Sequence, residues 1–98
     1  MYISNMTHFL DKEGTIAKEM HKEGREHASF LALIIDTVTK DYNTPIQATG
    51  IRCLKKGCTG TIDVLIDAKE ETIDWACTDC DEDGKISGWQ GSKWDNRK

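Results

Sequence analysis

Four cysteines constrain this chain more than any other feature. They lie in two short pairs, Cys53-Leu-Lys-Lys-Gly-Cys58 and Cys77-Thr-Asp-Cys80, separated by an arm of 18 residues. Each pair can close a tight loop that aims two sulfurs at one point. The arm is long enough to run out and return as a hairpin, which lands the second pair beside the first. That is the spacing of a tetrahedral zinc site. Zinc takes four thiolates at about 2.3 Å, and a site with four protein ligands leaves no position for substrate. The expectation is one structural zinc per chain, held by Cys53, Cys58, Cys77 and Cys80.

Two disulfides, a redox pair at Cys77 and Cys80, or four unrelated core thiols are the competing readings. Met1-Tyr2-Ile3-Ser4-Asn5 lacks the basic start and long apolar stretch of a secretory signal. Disulfides persist poorly without export. Four cysteines allow three disulfide connectivities, among which sequence cannot choose. A redox pair usually stands where a strand enters a helix, whereas here an acidic turn, Asp81-Glu82-Asp83-Gly84, follows.

Ninety-eight residues make one domain, or a small module with an appendage. A chain this short buries a modest core, so a metal or a partner contributes much of its stability. Hydrophobic residues make up 38% and charged residues 31%, a folded rather than a disordered composition. No apolar run approaches the roughly 20 residues that cross a bilayer. The cytoplasm is the expected location. Formal charge is −4, and four bound thiolates with one divalent cation would bring it nearer −6. A strong sequence-independent grip on nucleic acid needs excess positive charge, which neither half of the chain has.

Residues 16–40 carry Met20, Gly24, His27, Ala28, Leu31, Ile34, Ile35 and Val38 at spacings of three and four. This pattern predicts an amphipathic helix. Residues 1–15 hold Tyr2, Ile3, Met6, Phe9 and Leu10, with a turn at Asp11-Lys12-Glu13-Gly14, and pack as a short strand or a loop. Pro45 ends the helix. Beyond it, residues 46–53, 61–67, 72–76 and 85–89 read as strands, from their β-branched content and the intervening turns. The expected fold is α+β: one N-terminal helix packed on a small antiparallel sheet of three to four strands. Residues 1–45 would form the helical part and residues 46–98 the sheet with its tail, as one unit.

With both cysteine pairs, a hairpin between them, and Gly60 and Gly84 after the knuckles, residues 50–90 resemble a zinc ribbon. Many ribbons place two residues within each pair; the first pair here encloses four, which widens that loop. The whole chain is similar to a group of small uncharacterised bacterial proteins, a resemblance that implies no activity. Ribbons as a class serve transcription, translation, DNA handling and protein docking, so the fold does not settle the function.

No nucleophile–base pair or open metal site stands out, so the chain reads as non-catalytic. The expected role is docking, to a protein partner or to a second copy. Phe30 and Leu33 lie off the main helical stripe and are the candidate surface for it. The alternative is contact with nucleic acid through Arg52, Lys55 and Lys56 at the first knuckle, with Lys93 and Trp94 of the tail. Asp79, Asp81, Glu82 and Asp83 of the opposite knuckle would offset that basic charge.

Overall fold

A computed structural model describes residues 2–17 and 19–97. Five strands form one sheet: β1 (Tyr2–Asn5), β2 (Ile46–Arg52), β3 (Thr61–Asp67), β4 (Thr72–Cys77) and β5 (Asp83–Ser87), in the order β1-β5-β4-β3-β2. Helix α1 (Lys22–Thr39) lies between β1 and β2 in the chain and covers one face.

This corrects the expected architecture in two respects. The sheet has five strands and is mixed, because β1 pairs with β5 in parallel, Tyr2 opposite Gly84 and Asn5 opposite Ser87. The helix is not the N-terminal element but follows β1. A parallel pairing of the first residues with residues 84–87 leaves no local trace in sequence, since it needs no turn signal between its partners.

The helix also starts later than its periodicity predicts. Asp11 organises the preceding segment into a turn: its Oδ1 accepts from the amides of Glu13 (2.9 Å) and Thr15 (3.1 Å). Leu10 and Ile16 then form an antiparallel bridge, so Ile16, the first residue of the expected helix, belongs to the turn instead. The helix begins after His21, which supplies no side-chain cap.

Alternation along β3 and β4 buries Ile62, Val64, Ile66, Ile73 and Trp75 on one side. Against them α1 packs Ala28, Leu31, Ile34, Ile35 and Val38, all completely buried. Met6, from a single 3-10 turn after β1, joins the same core. At the far end of the helix, Gln47 Nε2 donates to the carbonyls of Val38, Asp41 and Thr44, tying β2 to the helix C-terminus.

Residues 89–97 close the end of the sheet away from the cysteines. Trp89 is completely buried, and its Nε1 donates to the Glu71 carbonyl at 3.0 Å. The Arg97 guanidinium lies 4.5 Å from the Trp89 ring centroid and 5.2 Å from that of Tyr42. Arg97 also hydrogen-bonds Asp95, which holds that carboxyl below its usual range.

Candidate metal centre

The four cysteines converge where β2 leaves the sheet and β4 ends. Their sulfurs all lie within 4.8 Å of one another. Cys53 and Cys80 approach to 3.6 Å and Cys58 and Cys77 to 3.5 Å, so each knuckle meets the other sulfur to sulfur. A disulfide would bring two sulfurs to about 2.05 Å, and all four thiols are free. Sulfurs bound tetrahedrally at about 2.3 Å stand about 3.8 Å apart, close to these separations. The four cysteines can therefore hold a metal ion. Among the described residues they are the one group of histidine, cysteine and acidic side chains so arranged.

Local backbone builds the cluster. In the first knuckle Cys53 N donates to Gly60 O at 3.0 Å; in the second Cys77 N donates to Glu82 O at 2.9 Å. The amides of Lys55, Gly60 and Asp79 point at the sulfurs of Cys53 (3.5 Å), Cys58 (3.4 Å) and Cys77 (3.4 Å). Each donor comes two residues after its cysteine. Such bonds spread the negative charge of clustered thiolates.

Two glycines shape the loops for different reasons. Gly57 has φ +84°, the left-handed conformation that turns the chain into Cys58. At Gly60 space is the constraint: a Cβ there would stand 2.6 Å from Cys77 Sγ and 2.8 Å from Asp79 Cβ. The lack of a side chain at Gly60 lets the second knuckle approach the first.

Electrostatics also favour a cation. Burial pushes the Cys53 thiol up to about 12, so without a metal it keeps its proton. The Asp79 amide brings Cys77 down to about 7. Four thiolates this close are unfavourable unless a positive ion offsets their repulsion.

The remaining candidate residues are scattered. Arg52, Lys55 and Lys56 are exposed at the metal end of the sheet. Lys93 and Trp94 belong to the tail, which closes the opposite end. Trp94 is half-buried against the helix in a groove of about 320 Å³ with Ile16, Ala32 and Leu33, and Lys93 Nζ stands 5.8 Å from its ring centroid. The two basic groups thus form no single stripe. Phe30 is buried, edge-on to Trp75 with 5.1 Å between ring centroids, whereas Leu33 is 49% exposed. Only Leu33 of that pair is available to a partner.

Sequence reasoning missed the steric role of Gly60 and the exposed apolar residues of the sheet, Ile46 and Leu65. The alternating pattern of residues 61–67 held the signal for Leu65, which interrupts an otherwise acidic outer face. No protein-family model matches the chain, and no curated protein or solved structure matches it, so the resemblance to a group of small bacterial proteins finds no support there.

Proposed function

We propose that this chain is a small, zinc-stabilised docking protein without catalytic activity. The four-sulfur cluster is the observation that carries the reading. All four donors come from the chain, so a tetrahedral ion there has no position left for substrate or activated water. Zinc suits a tetrahedral set of four thiolates, with iron the other candidate for that geometry. When bound, the ion supplies cross-linking of the two knuckles rather than chemistry on a substrate. Docking is supported by exposed large apolar side chains, Leu33 on the helix and Ile46 and Leu65 on the sheet.

Three measurements test this. Metal analysis of protein purified under reducing conditions should give one zinc per chain, and a cobalt-substituted sample should show a tetrahedral thiolate spectrum unchanged by azide or added thiol. A spectrum that changes would mean an open coordination position and overturn the non-catalytic reading. For docking, a photo-crosslinking amino acid placed in turn at Leu33, Ile46 and Leu65 should capture one discrete species in the native host. No discrete product from any of the three positions would refute docking.

A further inference from the structure

We infer that the uncovered face of the sheet is the docking site for a cationic amphipathic helix of a partner protein. This rests on the docking reading above and assigns its surface and its occupant. The molecule measures 35 × 34 × 19 Å, the thickness of one helix layer on one sheet. Among the described residues the helix covers one sheet face, and Ile3, Ile46 and Leu65 are exposed on the other.

The strand register places the side chains of the open face in rows. One row runs Ile46, Leu65, Asp74, Lys85, Ile3 across all five strands. The next runs Ala48, Asp63, Ala76, Asp83. Ile46 is 71% exposed and Leu65, its direct cross-strand neighbour, is 48% exposed. A solvated sheet face ordinarily carries polar residues at such positions. Ile46, Leu65 and Ala76 line a trough of about 510 Å³ together with Asp63, Asp74 and Asp83.

Charge selects the occupant. Among the described residues the trough is lined by the carboxylates of Asp63, Asp74 and Asp83 and by the ammonium of Lys85, which lies 3.5 Å from Glu70 Oε2. A second copy docked face to face would bring two sets of these carboxylates together, and a nucleic acid or an anionic membrane would meet the same repulsion. A cationic partner is attracted. Five strands spaced about 4.8 Å apart span about 19 Å, or roughly three and a half helical turns. That length suits a helix with leucines toward Ile46 and Leu65 and basic residues toward the aspartates.

The test uses the zinc-loaded full chain and a fluorescent Leu/Lys amphipathic helical peptide, with a Leu/Glu peptide of the same pattern as control. Amide shifts from the Leu/Lys peptide should map to β2, β3, β4 and β5. Asp63→Asn with Asp74→Asn should weaken binding about tenfold, as should Ile46→Ser with Leu65→Ser. Glu23→Gln with Glu26→Gln, an equal charge change on exposed helix positions, should alter it less than about twofold. Thermal unfolding confirms that each variant is folded. Equal weakening by the two charge pairs, comparable binding of the Leu/Glu peptide, or shifts centred on Leu33 and Trp94 would overturn the proposal. So would self-association of the wild type that Leu65→Ser abolishes. A peptide that binds at Leu33 and Trp94 leaves the docking reading standing, whereas crosslinks at none of the three positions remove that reading itself.

Discussion

Replacing Gly60 with alanine should damage the metal centre far more than its small volume suggests. The added Cβ would stand 2.6 Å from Cys77 Sγ, about 0.8 Å short of the 3.4 Å at which ordinary contact begins. In the loaded protein that sulfur cannot yield, because metal–sulfur distances vary by only about 0.2 Å. Asp79 cannot yield easily either, since its Cβ would be 2.8 Å away and its amide donates to the same sulfur. The second knuckle must move as a unit. Forced overpacking costs about 1–3 kcal/mol, and the upper end corresponds to about a hundredfold loss of metal affinity. Competition against a chromophoric chelator measures this directly. Gly57→Asn is the matched control: its site is open and its φ of +84° is one that asparagine tolerates, so affinity should stay within a few-fold of wild type. If Gly60→Ala binds zinc as tightly as the unaltered chain, the knuckles do not approach as closely as described.

Three further outcomes are expected. Phe30→Ala should destabilise the fold by about 3–5 kcal/mol in chemical denaturation, while Leu33→Ser should change it by less than about 0.5 kcal/mol; equal effects would contradict their different burial. Trp89→Phe removes one of two donors to the Glu71 carbonyl, Gln90 Nε2 being the other, and should cost about 0.5–1.5 kcal/mol, read as a lower midpoint of thermal unfolding. Zinc added to metal-free protein in weak buffer should release protons, because Cys53, held up at about 12 by burial, must ionise to bind. The bound form is the deprotonated one, so zinc affinity rises with pH and falls as pH drops; a pH-independent affinity would refute thiolate ligation.

Much of this structure is legible in the residues, and the illegible parts share a cause. The strands at Ile46–Arg52, Thr61–Asp67 and Thr72–Cys77 follow from β-branched alternation and from turns that carry their own chemistry. In one such turn Asp67 Oδ1 accepts from the amides of Lys69 and Glu70. The helical stripe from Ala28 to Val38 is equally plain, as is the cysteine cluster, because each is encoded within one segment or by a fixed spacing. The register of β1 against β5 is not encoded locally. It depends on a contact across more than 80 residues, where the absence of a Cβ at Gly84 lets the strand pass Trp75 and the Tyr2 carbonyl. The extra helical turn expected before Lys22 fails for a similar reason: Ile16 has the right spacing, but its bridge to Leu10 and the Asp11 turn compete for the same backbone. Phe30 and Leu33 look alike in sequence. Phe30 packs edge-on against Trp75, from a strand 45 residues later, whereas Leu33 stays 49% exposed.

The central claim is that a metal held by four thiolates unites the two knuckles, and native mass spectrometry joined to circular dichroism tests it most directly. The account predicts one zinc per chain under reducing conditions, loss of β structure when a chelator removes it, and recovery on adding zinc back. Binding energy at a site of this kind is folding energy, on the order of 10 kcal/mol. A folded protein that carries no metal and two stable disulfides would contradict it.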